Sequence, residues 1–246
     1  MEPVNYYEKI PKEMRKVYHN PGFKKHGLNV PFRMLVVGAS GAGKTNWLMN
    51  MIKMTSGTFE HIIVCLKSRH EPLYEFLAKK LPNSVTFYEN QVPAISELEQ
   101  YSSSLAVFDD LVATKSLQPA ITDYFVRGRK HGISMVYISQ SYYGIPKTIR
   151  SQATYIVLKK LTSDKDLALV LREYSFNMDF ESVMDLYEKA TATKNDFLMI
   201  DLEGPNDKKW RYNWKPIVVK KRNTAASKKK NISILDRLMG PDPEYE

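Results

Sequence analysis

Residues 38–45 read Gly38-Ala39-Ser40-Gly41-Ala42-Gly43-Lys44-Thr45, a complete G-x-x-x-x-G-K-[ST] match. An apolar run precedes it and a helical pattern follows it. No other feature constrains the fold as tightly. Glycines at these spacings let the backbone turn successive N–H groups toward one point, and a helix that starts there adds positive potential. The segment is therefore expected to cradle the phosphates of ATP, with Lys44 reaching the β and γ phosphates. The Thr45 hydroxyl is expected to ligate Mg²⁺, an ion that takes oxygen ligands in near-octahedral geometry.

A cradle between a buried strand and a helix demands an α/β layout, and the rest of the chain agrees. From residue 32 short apolar runs alternate with longer helical patterns, the signature of a mainly parallel sheet covered by helices on both faces. Strands are expected at 32–37, 61–66, 104–108, 134–139 and 154–158, with an added edge at 85–88. Trp47, Leu48, Met51 and Ile52 form one stripe of a helix over 44–54, and 117–129 and 164–174 show comparable spacing. A helix at 179–190 and a hairpin of 196–201 with 210–214, split by Gly204-Pro205, complete the pattern.

Three stretches follow from this texture: an N-terminal arm over 1–31 with one short helix near 12–18, a P-loop ATPase domain over 32–214, and a tail over 215–246. The tail holds Lys220-Lys221-Arg222 and Lys228-Lys229-Lys230 and is too polar to bury a core. Some 30 residues after the hairpin are too few for a nuclease domain of ordinary size.

Charge and composition limit the partners. Thirty-six Lys and Arg against 27 Asp and Glu leave a net charge of +9, which favours a polyanion such as nucleic acid or an anionic membrane surface over a merely solvated basic face. The tail, Lys147 and Arg150 are the candidate phosphate contacts. Cys65 is the only cysteine, which excludes an internal disulfide or a multi-cysteine zinc site. No two of the five histidines share a helical face at metal-binding spacing. No run approaches the roughly 18 apolar residues that span a bilayer, so a soluble, intracellular protein without membrane insertion is expected.

Hydrolysis needs a second element, an apolar strand ending in a carboxylate, and Ser104-Leu105-Ala106-Val107-Phe108-Asp109-Asp110-Leu111 supplies it. Asp109 is the candidate Mg²⁺ ligand. Asp110 points elsewhere as the strand ends and is the candidate for orienting and polarising the attacking water. Gln140, after the run 135–139, could sense the γ-phosphate or position that water, or be an ordinary loop residue. Arg127 and Arg129 could act as a finger on a neighbouring subunit, or cap the end of their helix.

Pro31-Phe32-Arg33-Met34 running into the phosphate loop, the Phe108-Asp109-Asp110-Leu111 strand end and the stretch from Arg127 to Ser141 together resemble the poxvirus-type genome-packaging ATPases of the FtsK/HerA superfamily. These occur in large DNA viruses of eukaryotes, virophages and related mobile elements. The resemblance implies an additional-strand P-loop fold, with the Gln140 strand between the phosphate-loop strand and the Asp109 strand. It also implies a homo-oligomeric ring around double-stranded DNA, driving it into a preformed capsid against vertex or portal proteins, in the host cytoplasm or viral factory or with the virion. The superfamily commonly has Glu after the first acid, and Asp110 is one methylene shorter.

Other classes share the phosphate loop. A segregation or conjugation translocase of the same superfamily would have the same site. A nucleotide kinase would want an Arg-rich lid over two nucleotides and has no need of a water-activating Asp110. A non-catalytic capsid-assembly protein holding ATP would show no hydrolysis stimulated by DNA.

Overall fold

In the computed structural model, which describes residues 3–174, 176 and 178–217, the apolar runs pair into one nine-stranded sheet. The strands are β1 (Arg33–Val37), β2 (His61–Leu66), β3 (Val85–Glu89), β4 (Ser104–Asp109), β5 (Ile133–Ser139), β6 (Tyr155–Leu158), β7 (Leu198–Asp201), β8 (Trp210–Tyr212) and β9 (Lys215–Pro216). They lie in the order β3-β2-β4-β5-β1-β6-β7-β8-β9. From β3 to β6 every pairing is parallel, and from β6 to β9 every pairing is antiparallel. Strands covered on both faces need near-continuous apolar runs, and β2 and β5, with apolar residues 62–66 and 135–138 at their centres, are buried along their whole length.

Helices cover both faces. They are α1 (Tyr6–Lys9), α2 (Phe23–His26), α3 (Lys44–Met54), α4 (Pro72–Lys80), α5 (Gln118–Arg127), α6 (Lys147–Arg150), α7 (Asp164–Tyr174) and α8 (Phe180–Ala190). On one face the α3 stripe Trp47, Leu48, Met51 and Ile52 packs with Tyr74 and Leu77 of α4 against Met34, Val36, Val64, Val107 and Val136. On the other, Ile121 and Phe125 of α5, Val170 of α7 and Val183 of α8 pack against Leu35, Ile63, Phe108 and Tyr137. Strand alternation sorts these residues, since neighbours along a strand point to opposite faces.

Several local expectations change. The helix expected over 117–129 ends at Arg127 and continues as a 3-10 turn, Gly128–His131, closed by Gly132 at φ +75°. The helix expected near 12–18 is only a 3-10 turn, Lys12–Met14. Met14 and Val17 stay 73% and 88% exposed, and so short a helix is not stable without a buried face. The helix α4 and the strand β9 were not expected from the sequence.

Residues 20–32 of the leading stretch are woven into the core. Leu28 and Phe32 are buried, and Asn20 Nδ2 donates to Leu28 O at 2.8 Å. Arg211 of β8 clamps this segment: its guanidinium pairs with buried Asp201 and donates to His26 O and Gly27 O, each at 3.1 Å. The basic clusters 220–222 and 228–230 lie outside the described residues. Among the described residues no helix is long and apolar enough to cross a membrane, and no group of His, Cys, Asp and Glu could hold a metal ion by itself.

Candidate active site

β1 delivers the chain to the carboxyl edge of the sheet, where the phosphate loop is anchored on both sides. Gly38 N donates to Ser139 O of β5 at 3.2 Å, and Ala39 N donates to Lys160 O, just past β6, at 2.8 Å. Gly41 and Gly43 take φ of +71° and +82°, a region costly for residues with a Cβ. Space is also short. A Cβ on Gly38 would lie 2.5 Å from Lys159 Cβ, and one on Gly43 would lie 2.7 Å from Lys194 O. Gly43 caps α3, so the N–H groups of its first turn have no intrahelical acceptor and face the loop. Lys44 folds over this cradle, its Nζ donating to Gly38 O and Ala39 O, each at 2.8 Å. Burial lowers the Lys44 pKa, while Asp109 and Asp110 oppose that shift. N–H groups without helical acceptors, a half-buried ammonium and no room for a side chain at Gly38 or Gly43 fit a polyphosphate.

Asp109 ends β4 opposite Leu66 and Ile138. It shares the strand parity of Leu105 and Val107, which pack on the face covered by α3, so its side chain lies on the side of the sheet that carries Thr45. Burial raises its pKa; a hydrogen bond from Tyr74 and the charge of Lys44 oppose the rise, and Asp110 adds to it. Tyr74 Oη donates to Asp109 Oδ2 at 2.5 Å. Burial and the Asp109 charge in turn hold the Tyr74 hydroxyl protonated. A hydroxyl from α3 and a carboxylate from β4 on one face are the oxygen donors a magnesium ion takes.

Asp110 leaves the strand with φ +51°, a conformation Asp tolerates better than most residues. Its N–H donates to Ile138 O at 3.1 Å, and Gln140 Nε2 donates to its Oδ2 at 3.2 Å. Lys67, just past β2, brings its Nζ to 3.9 Å from the same oxygen. The structure thus joins the acid and the amide that the sequence singled out separately, at the edge of the cradle.

Lys159 sits beneath the loop. It is 1% exposed, and its Nζ donates to Lys194 O at 2.5 Å and Asp196 O at 2.8 Å. Burial pulls its pKa down to about 8, against the opposing charge of Asp196. Lys194 O is the atom that crowds Gly43, so this lysine ties the loop before β7 to the phosphate cradle.

Arg127 and Arg129 lie elsewhere. α5 carries the chain back from the Asp109 edge, so both precede β5 at the amino edge of the sheet, about 20 Å away by the length of the strand. Arg127 pairs with Asp123, and Arg129 lies 3.3 Å from Glu203. The structure does not bring them to the loop of their own chain. Arg150, expected to contact DNA phosphate, is instead 11% exposed, over the Tyr142 ring and 4.0 Å from Glu173. Lys147 is exposed. Tyr74, Lys67 and Lys159 were not foreseen, because no local motif marks them.

A glycine cradle between β1 and α3, an acid-bearing β4, and one strand, β5, between them define an additional-strand P-loop NTPase fold. Residues 22–212 match the family model described as "Poxvirus A32 protein", and the chain belongs to that family. It is 23% identical over 196 residues, 72% of this chain and 70% of the relative, to DNA packaging protein OPG160 of vaccinia virus strain Copenhagen. Among solved structures it resembles the genome packaging NTPase B204 from Sulfolobus turreted icosahedral virus 2 in complex with AMPPCP. That match has a TM-score of 0.57 and 16% identity, and covers 77% of this chain and all of the other. EssC (ATPases 2 and 3) from Geobacillus thermodenitrificans matches with a TM-score of 0.52 and 10% identity over 85% of this chain and 44% of that one. At these identities the structural likenesses speak for the fold alone.

Proposed function

We infer that this chain is an ATP-driven motor that moves double-stranded viral DNA into a preformed capsid, with residues 32–214 as the motor domain and residues 20–31 of the leading stretch packed into its core. The observation that carries the reading is the joining of Asp110 and Gln140 at the edge of a complete phosphate cradle, on a strand inserted between cradle and acid strand. A site that only stored nucleotide would not need a polar pair there. Family membership and the DNA-packaging relatives supply the biological direction.

In this reading the loop Gly38, Ala39, Ser40, Gly41, Ala42 and Gly43 wraps the phosphates: Gly38 and Ala39 anchor it to the sheet, and the N–H groups at the start of α3, from Gly43 to Thr45, hold the phosphates together with the Lys44 ammonium. Thr45 and Asp109 hold Mg²⁺, which when bound neutralises charge on the phosphate oxygens. Asp110 accepts the proton of the attacking water as the water oxygen bonds to the γ-phosphorus and the bond from that phosphorus to the β–γ bridging oxygen breaks, releasing ADP and phosphate; Gln140 orients both the acid and the water. Copies assemble as a ring on DNA at a capsid vertex or portal, within the host cytoplasm or viral factory or with the virion. Arg127 or Arg129 then acts as a finger only if a neighbour turns its amino edge toward this site.

The test is ATP hydrolysis by the full chain with and without duplex DNA. Duplex DNA is expected to raise the rate, Lys44→Ala to abolish it, and Asp110→Asn to slow it by about 10²- to 10⁴-fold with Mg-ATP binding retained. Hydrolysis by Asp110→Asn at the original rate would remove the base assignment. Indifference to DNA in an active, assembled protein would remove the motor.

A further inference from the structure

A carboxylate that serves a metal ion must offer it a defined oxygen, and the torsion that turns a carboxylate is broad and weakly restrained. Asp109 is restrained from outside its own strand. Tyr74, 35 residues earlier on α4, donates its hydroxyl to Asp109 Oδ2 at 2.5 Å. That tyrosine is 1% exposed, and its ring packs edge-on against Phe87 of β3, with centroids 5.9 Å apart and planes at 65°. With the ring fixed, the hydroxyl has one place to point. The connection leading into α4 also reaches the other acid, through Lys67 and Asp110.

We propose that Tyr74 is a positioning residue for a divalent cation at Asp109, pinning one carboxylate oxygen so that the other is presented to the ion. The proposal rests on the reading of Asp109 as a magnesium ligand. Hydrogen-bonded partners of metal ligands commonly set ligand orientation, and their loss typically lowers metal affinity by about 10- to 100-fold. The hydroxyl is buried and its hydrogen bond goes to Asp109, so its removal acts through that carboxylate.

The experiment measures binding of a fluorescent ATP analogue to the full chain, in EDTA and across a magnesium titration. Tyr74→Phe keeps the ring and its packing. It is expected to bind the analogue in EDTA as the unmodified protein does, while the magnesium midpoint rises by about 10- to 100-fold. Tyr74→Met, which keeps apolar bulk without the hydroxyl, is expected to give the same shift and stands in should the phenylalanine variant not fold. Asp109→Asn is expected to lose the magnesium-dependent gain altogether. A hydroxyl that merely stabilised the fold would lower the unfolding temperature and leave the midpoint where it was; that result, with Asp109→Asn still losing the gain, would overturn the role of Tyr74 and spare the metal assignment. A magnesium-dependent gain that survives in Asp109→Asn would bring down both.

Discussion

Replacing Lys159 by Met removes a buried charge whose energetic signature depends on pH in a direction the structure fixes. Its ammonium is buried beneath the phosphate loop, with a pKa of about 8 against the ordinary 10.5. Because the folded value lies below the unfolded one, between about pH 8 and 10.5 the unfolded chain holds a proton that the folded chain has lost. Stability contributed by this group therefore rises with pH through that window, and the charge-burial cost is fully present below it. The gap corresponds to roughly 3 kcal/mol, of which about 1 kcal/mol is regained between pH 7 and pH 9. The Met variant regains none of it. Urea unfolding of both proteins at pH 7, 8 and 9 measures the difference, and groups such as Cys65, whose pKa burial pushes up to about 12, are common to both and cancel. At any one pH the sign reflects a balance, since Met also leaves Lys194 O and Asp196 O without their donor. The slope does not: the unmodified protein gains on the variant as pH rises. A stability difference that stays flat from pH 7 to 9 would refute the reasoning.

Gly43→Ala is expected to destabilise more than Gly41→Ala. Both incur a left-handed backbone penalty of about 1–2 kcal/mol, but only at Gly43 does the new Cβ meet a carbonyl, Lys194 O at 2.7 Å, while Gly41 faces open space. Equal losses of unfolding free energy in the two variants would discount the contact. For the arginines, mixing an inactive Arg127→Ala, Arg129→Ala protein with inactive Lys44→Ala protein is expected to restore part of the hydrolysis; no recovery in proven mixed assemblies would leave Asp123 and Glu203 as their whole purpose.

Much of this architecture was legible because parallel strands buried on both faces announce themselves as continuous apolar runs, and β1, β2, β4, β5 and β6 all do so. The cradle was legible because its demands fall on neighbouring residues. Tyr74 was not: α4 spans only Pro72–Lys80, too short for its periodicity to stand out, and the partner of its hydroxyl lies 35 residues away. The place of the arginines follows from the topology. A helix between parallel strands reverses the chain, so closeness in sequence to the start of β5 means distance from the cradle. Lys159 follows β6 without any motif, and only the return of the chain at Lys194 and Asp196 gives it partners.

The Arg211 clamp orders events on the ribosome. The carbonyl of Gly27 waits for a donor made 184 residues later, a delay of about 10–40 s at ordinary rates of synthesis. The three strands that frame the cradle, β5, β1 and β6, are all complete once Leu158 has emerged. The frame can thus form early, while the outer edge of β6 stays unpaired until β7 arrives to cover it. During that interval the nascent chain presents an open, apolar strand edge, the kind of surface that recruits chaperones or pairs with a neighbouring nascent copy. A polysome crowded with such chains would be where yield is won or lost.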